Sequence, residues 1–232
     1  LYLRLSISKE VSVSEVKRIV QKWYVLSVLT GRYSSSPETA FYRDIRRINE
    51  VGVVKTLEDI EAALLSDNFW DVKVVQDLAY TSTINPTYLV YLAAQVAGND
   101  MSLLSNNITV KDLIEISGDV HHIFPKQYLI DNGIIDKSKY NQVANFTYLD
   151  TPTNIAVGKD EPSVYFSKVW NQLKNQNYVI GNLKSEEAIK KNLDDNCIPL
   201  EIKNWTFENY EEFLLQRRKL MAAKIKEYYE KL

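Results

Sequence analysis

Apolar residues recur at helical spacing through the first hundred residues of the chain. Between Ser12 and Gly31 they include Val16, Ile19 and Trp23, and the two ends carry helix-start and helix-stop signals. Similar signals mark three further helices, at Ser36-Pro37 to Gly52, from Thr56 onward, and at Asn85-Pro86 to Gly98. The pattern predicts an all-helical region over residues 1–108.

The pattern changes from about Thr109 onward. A short helix to Ile116 is followed by the runs 120–124 and 145–149, whose length and composition are typical of strands. Thr151-Pro152 then opens a helix, and Thr206 opens the longest one, of about 25 residues. We expect an α+β protein that is mostly α, divided into residues 1–108, a core at 109–175, and carboxy-terminal helices at 176–232 that pack on the first region.

Composition limits the classes of protein that the chain can belong to. Its 232 residues are 45% hydrophobic and 25% charged, which is typical of a soluble globular protein. No apolar stretch is long enough to cross a bilayer and no signal peptide opens the chain, so we expect a cytoplasmic protein without a membrane partner. The chain begins at Leu1 rather than at methionine, which indicates part of a longer protein. The single cysteine, Cys197, excludes an internal disulfide and is expected to be a packing residue.

Both histidines of the chain are adjacent, as His121-His122 within the segment 119–125. Neighbouring residues of a strand point to opposite faces, so both can serve one site only at a strand end or kink. The following Ile-Phe-Pro provides such an end. The pair therefore predicts one metal ligand and one proton acceptor, and the alternative is two structural imidazoles hydrogen-bonded in a core.

Three motifs occur together in this part of the chain. They are His-His-Ile-Phe-Pro at 121–125, Asn-Phe-Thr-Tyr-Leu at 145–149, and Asn154 followed by Gly158-Lys159. In order and spacing they resemble the His-Me finger (HNH) nucleases, specifically the nuclease domain of GmrSD-like modification-dependent restriction proteins. Arg32-Tyr33-Ser34 and Pro37-Glu38 also resemble the helical segment that precedes the nuclease in that family. The resemblance implies a ββα-metal core enclosed by helices.

The resemblance also implies a role for each residue. His122 would be the general base, His121 and Asn154 would hold one divalent cation, and Asn145 would orient the loop or the ring of His122. Lys159 would contact a phosphate, and the alternative is a lysine exposed to solvent. For Asn145, the alternative is a residue that forms a turn. Imidazole is neutral at pH 7 and can accept a proton from water, and uncharged ligands leave the charge of the cation to the phosphate. We expect Mg²⁺ or Mn²⁺, with Zn²⁺ and Ni²⁺ as alternatives because imidazole suits them well.

The expected function is that of a metal-dependent DNA endonuclease that acts in restriction of foreign or modified DNA. Its expected partners are DNA and an amino-terminal nucleotide-binding domain outside this chain. The alternative is a non-catalytic interaction or DNA-binding module whose finger is a structural relic. A structural zinc knuckle is disfavoured, because two histidines without a nearby cysteine provide too few ligands. Because the net charge is −2, DNA binding requires a local basic surface. Candidates for that surface, which also fit ordinary solvated helix faces, are Arg43, Arg46, Arg47, Arg217, Arg218, Lys219, Lys224 and Lys226.

Overall fold

The computed structural model describes residues 12–232 as a mostly helical chain with a small two-stranded antiparallel sheet. The helices are α1 Val13–Thr30, α2 Pro37–Val51, α3 Val53–Leu64, α4 Val75–Asp77, α5 Pro86–Ala97, α6 Val110–Glu115, α7 Lys126–Asp131, α8 Lys137–Tyr140, α9 Thr151–Val157, α10 Pro162–Asn175, α11 Glu186–Asp195 and α12 Tyr210–Lys231. A π-helical segment, Phe69–Val74, precedes α4, and 3-10 turns lie at Val143–Asn145, Leu200–Asn204 and Phe207–Asn209. The strands are β1 Val120–His122 and β2 Phe146–Tyr148.

Several predicted helix ends are confirmed by capping contacts, although Ser36 makes no side-chain hydrogen bond at the start of α2. The Ser12 hydroxyl accepts a hydrogen bond from the amide of Glu15, and Gly31 ends α1 in the left-handed conformation with φ of 63°. Asn85 caps α5 through its side chain, and Thr109 forms a capping box with Asp112 at α6. The local signals therefore set these boundaries.

The predicted helix start at Thr56 is wrong. Helix α3 begins at Val53, directly after Gly52, whose φ of 84° lets the chain turn between α2 and α3 without a longer loop. Thr56 lies inside α3, where its hydroxyl donates to the carbonyl of Gly52 at 2.7 Å. The residue that was interpreted as a cap therefore bonds back to the preceding turn.

The chain forms two compact units. Unit 1 comprises the described residues up to Val74 together with Ile225–Leu232. Within it, the hydroxyl of Tyr229 donates to the carboxylate of Glu61 at 2.6 Å, so the last turns of α12 pack with the amino-terminal helices. Unit 2 comprises Val75–Lys224. The predicted boundaries at 108 and 175 both fall inside unit 2, and the functional division of the chain stays a prediction.

Unit 2 contains the hairpin and the first turns of α12 in one aromatic core. The ring of Phe124 lies 5.1 Å from that of Tyr210 and 4.9 Å from that of Phe213, measured between centroids. Cys197 is buried and free of disulfides, and burial raises the pKa of its thiol to about 11. Within residues 12–232, no helix combines the length and the apolar content that crossing a membrane requires.

Candidate active site

The predicted strands pair as an antiparallel hairpin. Val120 lies opposite Tyr148, and the two histidines lie opposite Thr147 and Phe146. The connection between the strands contains α7, α8 and a 3-10 turn. Helix α9 begins at Thr151, soon after β2 ends. The two strands and α9 thus occur in the predicted order along the chain, with α7 and α8 between the strands, and a ββα metal core stays a prediction.

His122 is the last residue of β1, and its ring is held from two sides. Its Nε2 atom lies 2.9 Å from Oδ1 of Asn141, and the ring stands edge-on to Phe146 with centroids 5.1 Å apart. An amide oxygen only accepts, so Nε2 carries the proton and Nδ1 is left as the acceptor. Burial lowers the pKa of His122; the bond to Asn141 opposes that shift, and the charges of Lys126 and His121 add to it.

Asn145 is fully buried and binds main-chain groups on either side of it. Its Oδ1 accepts from the amide of Phe124 at 2.8 Å, while its Nδ2 donates to the carbonyls of Phe124 and Tyr140 at 3.1 and 3.2 Å. Its own carbonyl accepts from the amide of Ile123 at 2.9 Å. Asn145 therefore fixes the loop that leaves His122. The ring itself is held by Asn141, which no sequence motif indicated.

His121 and Asn154 are both half-buried, and neither side chain has a hydrogen bond to any of residues 12–232. Burial lowers the pKa of His121, and the charges of Asp119 and Asp150 oppose that shift. Asp150 caps α9 by accepting from the amide of Thr153 at 2.9 Å. The amide nitrogen of Asn154, one turn further on, donates to the carbonyl of Asp150. Asp150 is thus within electrostatic reach of His121 and one helical turn from Asn154, while shared ligation of a cation stays a prediction.

Lys159 follows Gly158, which ends α9 with φ of 57°. Its side chain is exposed and makes no ion pair with the described part of the chain. The geometry leaves this ammonium group accessible to solvent, as both of its predicted roles require.

Arg217 does not lie on a solvated basic face, which corrects one expectation for the last helix. Its side chain is fully buried, and its Nη1 donates to the carbonyls of Ala144 and Phe146 at 2.7 Å each. Nε and Nη2 donate to the carbonyl of Asn196 at 3.3 and 3.2 Å. The guanidinium thereby braces the main chain on both sides of Asn145. The sequence holds no local signal of this contact, because its partners are main-chain atoms between 21 and 73 residues away.

Groups of three or more His, Cys, Asp or Glu residues that could hold a metal ion do not occur in the part of the chain that the structure describes. A metal site built as predicted would therefore rest on His121 and Asn154 without a carboxylate-rich cluster. Asp150, whose charge acts on His121, is occupied as a helix cap through both of its oxygens.

Comparison with known proteins gives one distant similarity. The chain is 26% identical, over 234 aligned positions, to the uncharacterized protein MJ0686 of Methanocaldococcus jannaschii. The alignment covers 90% of this chain and 37% of that protein, so the chain spans little more than a third of its relative. No family model and no solved structure matches.

Proposed function

We propose that this chain is a metal-dependent DNA endonuclease of the His-Me finger type, with a ββα core enclosed by helices. It would hydrolyse phosphodiester bonds in the restriction of foreign or modified DNA in the cytoplasm. The observation that carries the proposal is His122, at the end of β1, held through Nε2 by Asn141. This contact leaves Nδ1 as an oriented acceptor, which is what a general base requires.

His122 and the residues around it have two roles, which are proton transfer and positioning. Nδ1 of His122 would take the proton of the attacking water, a task usually worth about 10²–10⁴-fold in rate. Asn145 holds both main-chain groups of Phe124, so the loop behind the base cannot shift freely. Lys159, exposed beyond α9, would place a positive charge near a substrate phosphate.

The donor set fits one divalent cation and brings no negative charge of its own. His121 offers a neutral imidazole and Asn154 an amide oxygen, and neither is engaged by another described side chain. When bound, the cation would neutralise the charge that develops on the phosphate and on its leaving oxygen. Carbonyl oxygen suits Mg²⁺ or Mn²⁺, while the imidazole also admits Zn²⁺ or Ni²⁺. Two protein ligands leave the other positions to water and to substrate oxygens.

The proposal includes two partners, DNA and an amino-terminal nucleotide-binding domain of the same protein. The latter follows from the family resemblance alone. The activity test should therefore be made on the complete protein, so that a domain that controls cleavage is present.

Nicking of supercoiled plasmid, with modified and unmodified DNA and with Mg²⁺ or Mn²⁺, tests the function. His122→Ala should lower cleavage by about 10²–10⁴-fold while the metal-induced rise in melting temperature persists. Asn154→Ala should lose both the thermal shift and cleavage, with partial recovery at higher metal concentration. Asn171→Ala, on the exposed surface of α10, is the matched control and should behave like the wild type.

Two results would contradict the proposal in different ways. A wild-type protein that binds metal yet cuts none of the DNA substrates is a non-catalytic module with a relic finger. A His122→Ala protein as active as the wild type keeps the nuclease and removes the base from the mechanism.

A further inference from the structure

Unit 1 contains a cavity of about 390 Å³ between α1, the turn that follows it, and α2. Its volume lies within the range of about 300–1,000 Å³ that small-molecule sites occupy. The lining residues are Trp23, Tyr33, Phe41, Asp44, Ile45, Ile48 and Asn49. The cavity is therefore mostly apolar and aromatic, with two polar side chains, as ligand pockets usually are.

The packing of α2 leaves the apolar residues that line the cavity partly exposed to solvent. Of its fifteen residues, only Ala40 and Asp44 are buried. Phe41 stacks on Tyr33 with ring centroids 4.2 Å apart, yet 47% of Phe41 is exposed, as is 58% of Ile45. The core of unit 1 does not account for these two side chains, and the exposed part of Phe41 is available for contact with a second ring.

The floor of the cavity is a preorganised polar network. Nε1 of Trp23 donates to the hydroxyl of Tyr33 at 2.9 Å, and that hydroxyl donates to Oδ2 of Asp44 at 2.7 Å. Arg32 donates to both carboxylate oxygens of Asp44. The guanidinium offsets the carboxylate charge, so the floor does not select a cation. Oδ1 of Asp44 receives only the bond from Arg32 among the described residues and keeps acceptor capacity.

Asn49 supplies the other polar group of the cavity. Its side chain is exposed and forms no hydrogen bond to the residues that the structure describes. A side-chain amide presents a donor and an acceptor side by side, which matches the adjacent acceptor and donor on the edge of an adenine. Arg43, on the same helix, has no ion-pair partner within residues 12–232 and lies close enough for its charge to act on Asp44.

We propose that this cavity binds a nucleobase of the adenine type. The ring lies flat against Phe41 between the isoleucine side chains, and its hydrogen-bonding edge faces Asn49. The base reaches the cavity either as a free nucleoside or as an unstacked base of a single strand, whose phosphate Arg43 would then neutralise. This proposal does not depend on the nuclease function, because it concerns unit 1 and involves none of the residues proposed for cleavage.

Calorimetric titration without metal separates the two sources of the base. The probes are adenosine, oligo-deoxyadenylate and, as a non-planar apolar control, cyclohexanol. Binding of adenosine alone supports a free nucleoside as the ligand. Tighter binding of oligo-deoxyadenylate, weakened by salt and by Arg43→Ala, supports a base within a strand.

Variants locate the binding in this cavity. Phe41→Ala should weaken binding about tenfold or more, the loss that follows when a base-stacking aromatic is removed. Asn49→Ala removes only an exposed amide and leaves the fold intact. It should weaken the binding of adenosine and leave the affinity for cyclohexanol unchanged. Tyr42→Ala is the matched control, since Tyr42 is 71% exposed on the same helix and does not line the cavity.

Three results would overturn the proposal. One is the absence of heat or thermal stabilisation with both adenosine and oligo-deoxyadenylate at millimolar concentration. Another is cyclohexanol binding as tightly as adenosine, which would make the cavity a general apolar site. The third is a loss of affinity in Tyr42→Ala equal to that in Phe41→Ala and Asn49→Ala.

Discussion

The Nε2 atom of His122 lies 2.9 Å from the Oδ1 atom of Asn141, which follows α8 in the connection between the two strands. The orientation of the imidazole therefore depends on a residue nineteen positions away, outside all of the motifs that drew attention to the histidines. The segment between the strands thus supplies the contact that selects the tautomer of the candidate base.

Replacement of Asn141 by alanine should lower cleavage by about 10–100-fold without loss of metal binding, since a hydrogen bond that orients the imidazole contributes on that scale. Asn141→Asp keeps an acceptor for Nε2 and should retain more activity than the alanine variant. Asn132→Ala serves as control, because the amide of Asn132 caps an exposed turn by donating to the carbonyl of Tyr128. Equal cleavage rates in all of these proteins would remove Asn141 from the site.

Asn145→Ala should destabilise unit 2 by about 3 kcal/mol, because the buried amide and carbonyl of Phe124 lose their partner and the carbonyl of Tyr140 loses one of its donors. Asn145→Asp should not restore stability, since a carboxylate can accept from Phe124 but cannot donate to the two carbonyls. Urea denaturation followed by fluorescence measures the change. A loss below about 1 kcal/mol would mean that the loop after His122 is held by other contacts.

Asp44 should give unit 1 a specific sensitivity to acid. Burial opposes the charged carboxylate, but the bonds from Arg32 and Tyr33 outweigh it and hold the pKa of Asp44 below its usual value. A folded pKa below the unfolded one means that the stabilisation is complete above about pH 4 and is lost as the pH falls through the lowered value. The difference in melting temperature between wild type and Asp44→Asn should therefore be large at pH 7. It should decrease and disappear as the pH falls through the lowered pKa of Asp44.

The exposed Asp67, replaced by asparagine, provides the control for that pH series. Its variant should follow the wild type across the whole range. A gap between wild type and Asp44→Asn that does not depend on pH would show that the carboxylate charge is not what stabilises the network.

Arg217→Met should cost about 3 kcal/mol or more, because four hydrogen bonds from a buried charged group are lost and the carbonyls of Ala144 and Phe146 are left unpaired. Arg217→Lys should not rescue the protein, since an ammonium group cannot reach carbonyls on both sides as the planar guanidinium does. Arg218→Met is the neighbouring control: within the described chain its side chain makes a single hydrogen bond, from Nη1 to Gln142, and the loss should be smaller. Chemical denaturation of the three variants decides between these outcomes.

The sequence predicts helices well where caps are local. Ser12, Asn85 and Thr109 each bond within three residues of themselves, so a short window contains the whole signal. The two short strands were also recognisable, because their β-branched and aromatic residues lie between turn signals. Thr56 shows the limit of this approach, since a threonine can bond back to the preceding turn as readily as it can open a helix.

What escaped prediction depends on contacts between distant parts of the chain. Phe41 and Ile45 lie within the helix predicted from Ser36-Pro37 to Gly52, but the sequence could not show how much of each side chain stays exposed. The histidines and Asn145 were found through motifs, whereas Asn141 and Arg217 act on groups that the fold brings to them. A charged residue in a basic run looks solvated until its main-chain partners are known, which is why the prediction for Arg217 was wrong.

The guanidinium of Arg217 holds only main-chain oxygens, at positions 144, 146 and 196. Evolution can therefore exchange the side chains at those three positions without touching the contact, while no other side chain at 217 can reproduce it. Among homologous chains, the arginine should persist while its partners drift. A search for covarying pairs would then not detect the hydrogen bonds of Arg217 to the main chain. A deep alignment should show position 217 as a single invariant column within a variable helix.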